Sequence, residues 1–358
     1  MNIRQRLHQF AEIEDSQLRM GFATASDLED WLVEELGDPE VLDGPVQTRT
    51  GWKRAVPPES IYHICSGNLS IAAETSLLIS LILGSEAWFK LPSSGLPELE
   101  QKILRLPKFM SQRIHLIVEH DVELMSRCQV VVAFGSDSTI QSLRASIQPG
   151  QIFLPYGHRI SLGVVTQDGA TPAWAERAAR ETLLYHQLGC LSPQSYLCPD
   201  STTSAAFSEL LAAALDQQAP EGRSLPFEAQ ALIFEARQRA TLAGDLVIHP
   251  KAPGAWTLVE RQKSCVQPGP GFGFIEVVTS ANHAETLQPW KGWISSVGYT
   301  SDTLSSADWA MWEKLGVHRL CRCGDLQHPP IAWPHDGRPR LADMIRWTYA
   351  DPTLEIQF

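Results

Sequence analysis

The first half of the chain alternates short apolar runs with segments that carry apolar residues at helical spacing. A helical pattern over 69–84 separates the first two runs. Near-continuous apolar runs such as VVVAF are typical of strands buried on both faces of a sheet. Strands that alternate with helices at this spacing predict a parallel, doubly wound sheet. The predicted strands lie at 60–67, 86–92, 113–119, 129–136 and 152–157.

The second half, from about residue 160, repeats this alternation with longer helices. Before residue 60, we expect polar helices over 1–37 and a loop rich in proline and glycine over 38–60. We therefore predict an α/β protein with two doubly wound parallel-sheet domains. Further helices are predicted at 172–189, 201–218, 226–244 and 341–350. Further strands are predicted at 195–199, in four short segments after residue 244, and at 353–358.

Length, charge and cysteine content narrow the class of protein. A chain of 358 residues suits two or three domains. A formal net charge of −12 without a Lys/Arg-rich run argues against nucleic acid or an anionic membrane as a partner. The longest apolar run, 77–84, is too short for a membrane span, and residues 1–15 lack a signal-peptide core. Seven irregularly spaced cysteines do not suit a disulfide framework, so we expect a cytoplasmic protein.

Cys190 differs from the other cysteines because it lies in a turn between predicted elements. Gly189 ends the preceding helix, and a Ser-Pro pair follows one residue later. A partly exposed thiol can act as a nucleophile when its thiolate is stabilised. A buried thiol that only fills the core is the alternative, since that is the commonest role of free cysteine. His186 lies four residues earlier and His158 lies in the GHR segment, but nothing in the pattern identifies either one as a base.

Two features at predicted strand ends favour a nucleotide. Gly135 and Ser136 follow a strand and open a helix, where backbone N–H groups attract phosphate. Lys90 ends a predicted parallel strand, at the edge of the sheet where nucleotides bind. Gly-Ser turns and solvated lysines are also common without any ligand, so neither feature identifies a site by itself.

The segment HRLCRCG, with His318, Cys321 and Cys323, invites interpretation as a metal site. No second pair of ligands stands at zinc-site spacing, and Cys-x-Cys in a strand places both thiols on one face. We therefore expect ordinary packing at this segment and no metal ion.

These features occur together in one known family. The chain resembles the LuxC-type acyl-CoA reductases, which reduce fatty acyl-CoA or acyl-protein thioesters and belong to the aldehyde dehydrogenase superfamily. The likeness extends from about Ile61 to about Trp347. It is carried by HICSGNLSIAAETSLLISLILGSEAWFKLPSS, VVVAFGSDSTI, YGHRISLGVV, ETLLYHQLGCLSPQS and GVHRLCRCGDL…WPHDGRP.

The resemblance implies an aldehyde dehydrogenase-like fold with a Rossmann-like cofactor domain and a catalytic cysteine domain. Residues 1–160 would form the cofactor-binding domain, with a helical N-terminal part at 1–60. Residues 161–325 would form the catalytic domain that carries Cys190. Residues 326–358 would form a C-terminal segment whose terminal strand joins the subunits of a homo-oligomer.

The resemblance also implies catalytic roles. Cys190 would attack the carbonyl of an acyl thioester and form an acyl-enzyme. The side-chain amide of Asn68 and the backbone N–H of Cys190 would hold the oxyanion of the tetrahedral species. At the place where oxidising relatives carry Glu-Leu-Gly-Gly, this chain has residues 161–164, Ser-Leu-Gly-Val. Without that glutamate, attack by water on the acyl-enzyme should be slow, which suits a reductase.

Cofactor residues follow from the same resemblance. Lys90 would contact the adenosine ribose, and Gly135 with Ser136 would contact the pyrophosphate. Ser93 and Ser94 stand where many NAD-specific relatives carry a glutamate, which favours NADPH and leaves NADH possible. The nearest counterpart of the relatives' Glu-Phe-Gly-Pro element is GPGFGFIE, and we assign no residue of it to the cofactor.

The combined expectation is NADPH-dependent reduction of a long-chain or other hydrophobic acyl thioester to the aldehyde. The acyl donor would be acyl-CoA or an acyl-protein, and an acyl-protein synthetase is a possible partner. Two alternatives stay open. The chain would be an acyl-accepting subunit of a multienzyme complex with weak or no reduction, or a CoA-acylating aldehyde dehydrogenase that works in the oxidative direction.

Overall fold

A computed structural model describes residues 2–12, 24–67, 70–219, 225–250 and 255–356. The chain divides into two compact units, of which the first combines residues 1–158 with 330–358 and the second comprises residues 159–329. Within the described ranges, no helix combines the length and the apolar character needed to cross a bilayer.

The described residues form helices and strands in alternation over most of the chain. The helices are α1 (Ile3–Glu12), α2 (Ala25–Leu36), α3 (Ile71–Leu83), α4 (Pro97–Arg105), α5 (Lys108–Ser111), α6 (Val122–Arg127), α7 (Asp137–Arg144), α8 (Pro172–Leu183), α9 (Ser201–Gln218), α10 (Phe227–Leu242), α11 (His283–Thr286) and α12 (Ser306–Leu315). The strands are β1 (Val46–Thr48), β2 (Gly51–Val56), β3 (Ser60–Ile64), β4 (Glu86–Lys90), β5 (Ile114–Ile117), β6 (Val130–Phe134), β7 (Ile152–Tyr156), β8 (Ile160–Val164), β9 (Pro193–Cys198), β10 (Leu246–Ile248), β11 (Thr257–Arg261), β12 (Phe274–Thr279), β13 (Ile294–Tyr299), β14 (Arg319–Arg322) and β15 (Arg346–Ala350).

The first unit contains a five-stranded parallel sheet in the order β5-β4-β3-β6-β7. Its interior strand β6 is buried on both faces, because Val130 and Val132 join one core cluster while Val131 and Ala133 join another. The chain leaves β3 toward β4 and later returns to pair β6 with the other side of β3. This reversal creates a switch point between β3 and β6, where α/β sheets bind ligands.

The second unit contains a seven-stranded sheet in the order β10-β11-β12-β9-β8-β13-β14. All neighbours are parallel except the edge pair β10 and β11, which is antiparallel. Along β8, Ile160, Leu162 and Val164 pack in one core cluster. The alternation of side chains along a strand therefore places Ser161 and Gly163 on the opposite face. The predicted α/β fold with two parallel-sheet domains is confirmed.

The predictions were wrong at the two ends of the first unit. The segment 38–60, expected to be a loop, contains β1 and β2, and the helix expected near 341–350 is replaced by β15. These three strands form an antiparallel sheet in the order β1-β2-β15. Trp, Thr and Tyr in β15 favour a strand once β2 supplies an edge to pair with. The end of the chain, expected to be a strand over 353–358, carries none in its described part, 353–356.

Residues after 330 are part of the first unit because Glu35 at the end of α2 binds them. Its carboxylate accepts hydrogen bonds from the backbone N–H groups of Arg340, Leu341 and Ala342 at 2.7–2.9 Å. Leu341 and Met344 are buried in the same core cluster as Trp31 and Leu32 of α2. The C-terminal segment thus completes the core of the first unit.

Candidate active site

Cys190 lies in the turn that connects α8 to β9, and it is one of three partly exposed cysteines among the seven. Burial raises the pKa of Cys65 and Cys321 to about 12 and that of Cys128 to about 11. The pKa values of Cys198 and Cys323 are raised further, also by burial. A thiol with a raised pKa is a poor nucleophile at neutral pH. Cys190 and Cys265 are the partly exposed thiols outside this group, and they are therefore the candidate reactive thiols.

The backbone before Cys190 adopts an uncommon conformation. Tyr185, His186 and Gln187 have φ angles of 52°, 55° and 58°. Non-glycine residues rarely occupy this left-handed region, and each one costs about 1–3 kcal/mol that the surrounding structure has to offset. Three such residues in succession kink the chain between α8 and Gly189. Local strain of this kind is concentrated at functional sites.

Side chains from neighbouring elements hold the turn in place. Ser161, fully buried on β8, donates a hydrogen bond from Oγ to the carbonyl oxygen of Cys190 at 2.7 Å. Gln327 donates from Nε2 to the Oγ of Ser192 at 2.6 Å, two residues beyond the cysteine. The backbone of Cys190 and the side chain of Ser192 are thereby tied to two segments that are distant in sequence, which restricts the positions the thiol can take.

Glu181 lies on α8, nine residues before Cys190, and is 2% exposed. Its carboxylate accepts hydrogen bonds from the hydroxyl of Tyr196 at 2.8 Å and from the N–H of Gly324 at 2.7 Å. It also accepts longer ones, from the N–H of Leu326 at 3.4 Å and from the thiol of Cys323 at 3.5 Å. Burial raises the pKa of Glu181 to about 7, against the opposing effect of these donors. The carboxyl group joins α8 to the segment that carries Gln327.

In the first unit, the loops after β3 and β4 meet at the carboxyl edge of the sheet. Lys90 is the last residue of β4, is partly exposed, and donates from Nζ to the carbonyl oxygen of Leu91 at 2.7 Å. A Cβ atom on Gly67 would lie 3.4 Å from Pro92 and 3.7 Å from the Oγ of Ser94. Lys90, Ser93 and Ser94 therefore border the switch point between β3 and β6, where the predicted nucleotide would bind.

Gly135 and Ser136 connect β6 to the first turn of α7. The Oγ of Ser136 caps this helix by accepting a hydrogen bond from the N–H of Thr139 at 3.2 Å. A Cβ atom on Gly135 would lie 3.3 Å from the Cγ2 of Thr139, so glycine keeps the start of the helix accessible. A helix start with close backbone access, at the same edge of the sheet as the lysine that ends β4, fits the phosphates and ribose of a dinucleotide.

The WPHDGRP segment packs beside this helix start. The ring of His335 stacks on Tyr156 with a centroid distance of 4.8 Å, and Tyr156 stacks on Phe134 at 4.7 Å. Trp333 continues the series at 5.1 Å from His335. Burial raises the pKa of Tyr156 to about 12, so the phenol stays neutral. Phe134 and Tyr156 of this series are the last residues of β6 and β7, and Phe134 directly precedes Gly135.

The predicted site residues divide between the two units. Lys90, Ser93, Ser94, Gly135 and Ser136 lie at one edge of the five-stranded sheet, and Cys190 lies in the second unit. Asn68 falls outside the described residues. Their roles stay predictions.

Sequence reasoning missed the residues that hold the cysteine turn. We noted Ser161 only as the replacement for a glutamate, although its hydroxyl binds the carbonyl of Cys190. Glu181, Gln187 and Gln327 were not singled out at all. A buried carboxylate on an otherwise apolar helix face was the one local signal, since Glu181 follows Ala175, Ala178 and Ala179 at helical spacing.

The sequence of the whole site region matches one family model, described as acyl-CoA reductase (LuxC), over residues 3–347. The chain belongs to this family. The predicted resemblance is therefore confirmed, and so, at the level of the family, is the prediction of an oxidoreductase that acts on acyl or aldehyde groups.

Two curated relatives carry related names. The long-chain acyl-protein thioester reductase of Aliivibrio fischeri is 25% identical over 378 aligned positions, which cover 95% of this chain and 74% of that protein. The long-chain acyl-protein thioester reductase 2 of Photobacterium leiognathi is 22% identical over 215 positions, which cover 56% of this chain and 45% of that protein. The match to the second relative thus spans less than half of its length.

Solved structures of aldehyde dehydrogenases share the fold. A succinic semialdehyde dehydrogenase from Streptococcus pyogenes, in complex with NADP+, superposes with a TM-score of 0.71 at 11% identity and covers 98% of this chain and 90% of its own. An aldehyde dehydrogenase from Bacillus cereus, in complex with NAD+, gives a TM-score of 0.71 at 10% identity, with coverage of 98% and 84%. The predicted aldehyde dehydrogenase-like fold is confirmed by these likenesses.

Proposed function

We propose that the chain reduces an acyl thioester to an aldehyde through an acyl-enzyme on Cys190, with a nicotinamide cofactor. The observation that carries this proposal is the position of Cys190. It is a partly exposed thiol in a strained turn, anchored by Ser161, in a member of the acyl-CoA reductase family. The first unit would hold the cofactor, and the second unit would carry the nucleophile.

In the first step, the thiolate of Cys190 attacks the thioester carbonyl carbon and forms a C–S bond. The bond to the donor sulfur breaks, and the donor thiol leaves with a proton. A reduced nicotinamide, when bound, supplies the hydride that reduces the acyl carbonyl. The C–S bond to Cys190 then breaks, which releases the aldehyde and restores the thiolate. Asn68 and the N–H of Cys190 would stabilise each oxyanion, by about 3–4 kcal/mol for one donor.

The environment of Ser161 favours reduction over hydrolysis. Its hydroxyl donates to the carbonyl oxygen of Cys190, so it serves as an anchor. Serine is also a far weaker base than the carboxylate that the oxidising relatives carry at this place. An acyl-enzyme without a neighbouring general base survives longer in water, until it is reduced.

The cofactor preference follows from residues of the first unit, and the substrate preference follows from the names of the two relatives. Lys90, Gly135 and Ser136 would hold the ribose and the pyrophosphate. Ser93 and Ser94 place no carboxylate near the ribose hydroxyls, which favours NADPH over NADH because a 2′-phosphate is not repelled. The acyl group would be long-chain or otherwise hydrophobic, as the names of the two relatives suggest. The donor would be acyl-CoA or an acyl-protein supplied by a synthetase, and the enzyme would act as a homo-oligomer in the cytoplasm.

The test uses purified protein and a long-chain acyl-CoA that carries a radiolabel in the acyl group. Wild type, Cys190→Ser and the matched control Cys265→Ser are incubated with and without NADPH. We expect hydroxylamine-sensitive label on wild type and on Cys265→Ser, and its conversion to labelled aldehyde when NADPH is added. Cys190→Ser should carry no label.

Other outcomes would contradict the proposal in distinct ways. Label that stays on Cys190 with either NADPH or NADH would indicate an acyl-accepting subunit. Net formation of acyl-CoA from aldehyde, CoA and NADP+, without the reverse reaction, would indicate a CoA-acylating dehydrogenase. Label on Cys190→Ser equal to that on wild type would exclude Cys190 as the nucleophile.

A further inference from the structure

Gln187 is the last of the three residues with a left-handed conformation before Cys190, and its side chain is buried with 2% exposure. Its Nε2 donates two hydrogen bonds, to the carbonyl oxygens of Pro193 and Phe274, each at 2.8 Å. Its Oε1 accepts a third, from the N–H of Gly273 at 3.0 Å. The side chain thus uses both of its donors and its acceptor.

These three bonds connect both sides of the cysteine turn to a second loop. Gln187 precedes Cys190 and Pro193 follows it, so the first bond closes the turn around the cysteine. The other two bonds reach Phe274, the first residue of β12, and Gly273 in the loop before that strand, which also contains Phe272. A backbone hydrogen bond of 2.7 Å, from the N–H of Phe272 to the carbonyl of His186, reinforces the contact.

Both loops are held in conformations that they would not adopt alone. In the second loop, Phe272 has a φ of 59°, between Gly271 at 83° and Gly273 at 84°. Left-handed conformations at non-glycine residues persist only when surrounding contacts enforce them. The side chain of Gln187 bonds to both loops, so we expect its removal to loosen the backbone on both sides of the contact.

We propose that Gln187 is a positioning residue that holds Cys190 in its reactive orientation by locking the cysteine turn to the loop before β12. This inference rests on the proposed function, because it takes Cys190 to be the nucleophile. A buried glutamine that only stabilises the fold is the competing explanation. The two explanations make different predictions for a variant in which the second unit stays folded. A positioning role predicts that the reactivity of the Cys190 thiol changes, whereas a merely structural role predicts that it does not.

The variants are chosen by their hydrogen-bonding capacity. Gln187→Ala removes all three bonds. Gln187→Glu keeps the size of the side chain, but its ionised carboxylate faces the carbonyls of Pro193 and Phe274 without a donor, whereas its protonated form can donate to one of them. Gln218→Ala is the matched control, because that glutamine makes an exposed hydrogen bond to the carbonyl of Glu176.

The experiment measures the rate at which iodoacetamide alkylates Cys190, followed by mass spectrometry of its peptide, between pH 6 and 9. NADPH affinity and the melting temperature of each variant serve as checks of folding. We expect Gln187→Ala to slow alkylation at least tenfold while NADPH affinity changes less than twofold. For Gln187→Glu, the rate relative to wild type should rise as the pH is lowered. Gln218→Ala should match wild type.

The inference is overturned if both Gln187 variants alkylate at the wild-type rate, whatever happens to their melting temperatures. If Gln187→Ala does not fold, Gln187→Glu decides through its pH profile, since a merely structural role predicts a constant ratio to wild type. Failure of the proposed function looks different. In that case, wild-type Cys190 would alkylate no faster than Cys265, and no acyl label would form.

Discussion

Glu181 allows a quantitative test of how the second unit is stabilised. The carboxyl group is buried, and the four hydrogen atoms that face it come from Tyr196, Cys323, Gly324 and Leu326. We choose Glu181→Gln because an amide keeps the volume and resembles the protonated acid. Its oxygen can accept from the backbone N–H groups, and its NH2 can donate to the hydroxyl oxygen of Tyr196, which itself donates to the carbonyl of Ala178 at 3.3 Å.

The size of the effect follows from proton linkage. Burial raises the pKa of Glu181 from 4.5 to about 7 in the folded protein. The folded state therefore binds the proton more tightly than the unfolded state does. Its stabilising contribution is complete below about pH 4.5 and is lost as the pH rises through about 7. A difference of roughly 2.5 pKa units corresponds to about 3 kcal/mol, which is the upper limit of the loss. The glutamine does not titrate, so it should lack this loss.

The assay is urea unfolding of wild type and Glu181→Gln at pH 5, 6, 7 and 8. The free energy of unfolding of the variant, relative to wild type, should increase by about 2–3 kcal/mol between pH 5 and pH 8. Glu235→Gln, which changes an exposed glutamate on α10, is the control and should show a constant difference. A constant difference for Glu181→Gln as well would refute the reasoning, because the buried carboxyl group would then be ionised throughout this range.

Three further substitutions test individual contacts. Ser161→Ala removes the 2.7 Å bond to the carbonyl of Cys190. The substitution should slow acyl-enzyme formation in single-turnover assays by about 5- to 30-fold, which corresponds to about 1–2 kcal/mol. An unchanged rate would contradict the role of Ser161 as an anchor of the cysteine turn. Gly163→Ala would place a Cβ atom 2.0 Å from the ring of Tyr196. It should lower stability by about 1–3 kcal/mol or more in thermal unfolding, and an unaltered melting temperature would show that the ring can move. Ser94→Glu should shift the ratio of kcat/KM for NADPH over NADH toward NADH by at least about tenfold, or about 1.4 kcal/mol. A ratio equal to that of wild type would show that the loop containing Ser94 does not contact the ribose.

The parallel strands of the five-stranded sheet were predictable because their signal is local. A strand buried on both faces has to be apolar at nearly every position. The apolar run Val130–Phe134 therefore predicts a buried strand without information from the neighbouring strands. The sequence signals of the glycine after β6 and of the serine that caps α7 are equally local, since helix caps depend on residues within one turn. The family resemblance then supplied candidate roles for residues that such patterns alone leave open.

The antiparallel strands were missed because their formation depends on partners far away in the chain. Residues 346–350 alternate polar and aromatic side chains and are mostly exposed, so they carry no core-facing pattern. They become a strand by pairing with β2, about three hundred residues earlier. A short strand without an apolar face is stabilised mainly by its neighbour's backbone, which no local window contains.

By itself, the sequence of this protein determined the α/β class with two parallel sheets, the five strands of the first parallel sheet and the isolated cysteine in a turn. Only the tertiary structure decided how that cysteine is held. Ser161 and the carbonyl of Cys190 are 29 residues apart, Gln187 and Phe274 are 87 apart, and Gln327 and Ser192 are 135 apart. Hydrogen bonds act over about 3 Å, so residues this distant in the chain interact only after the sheet has brought them together.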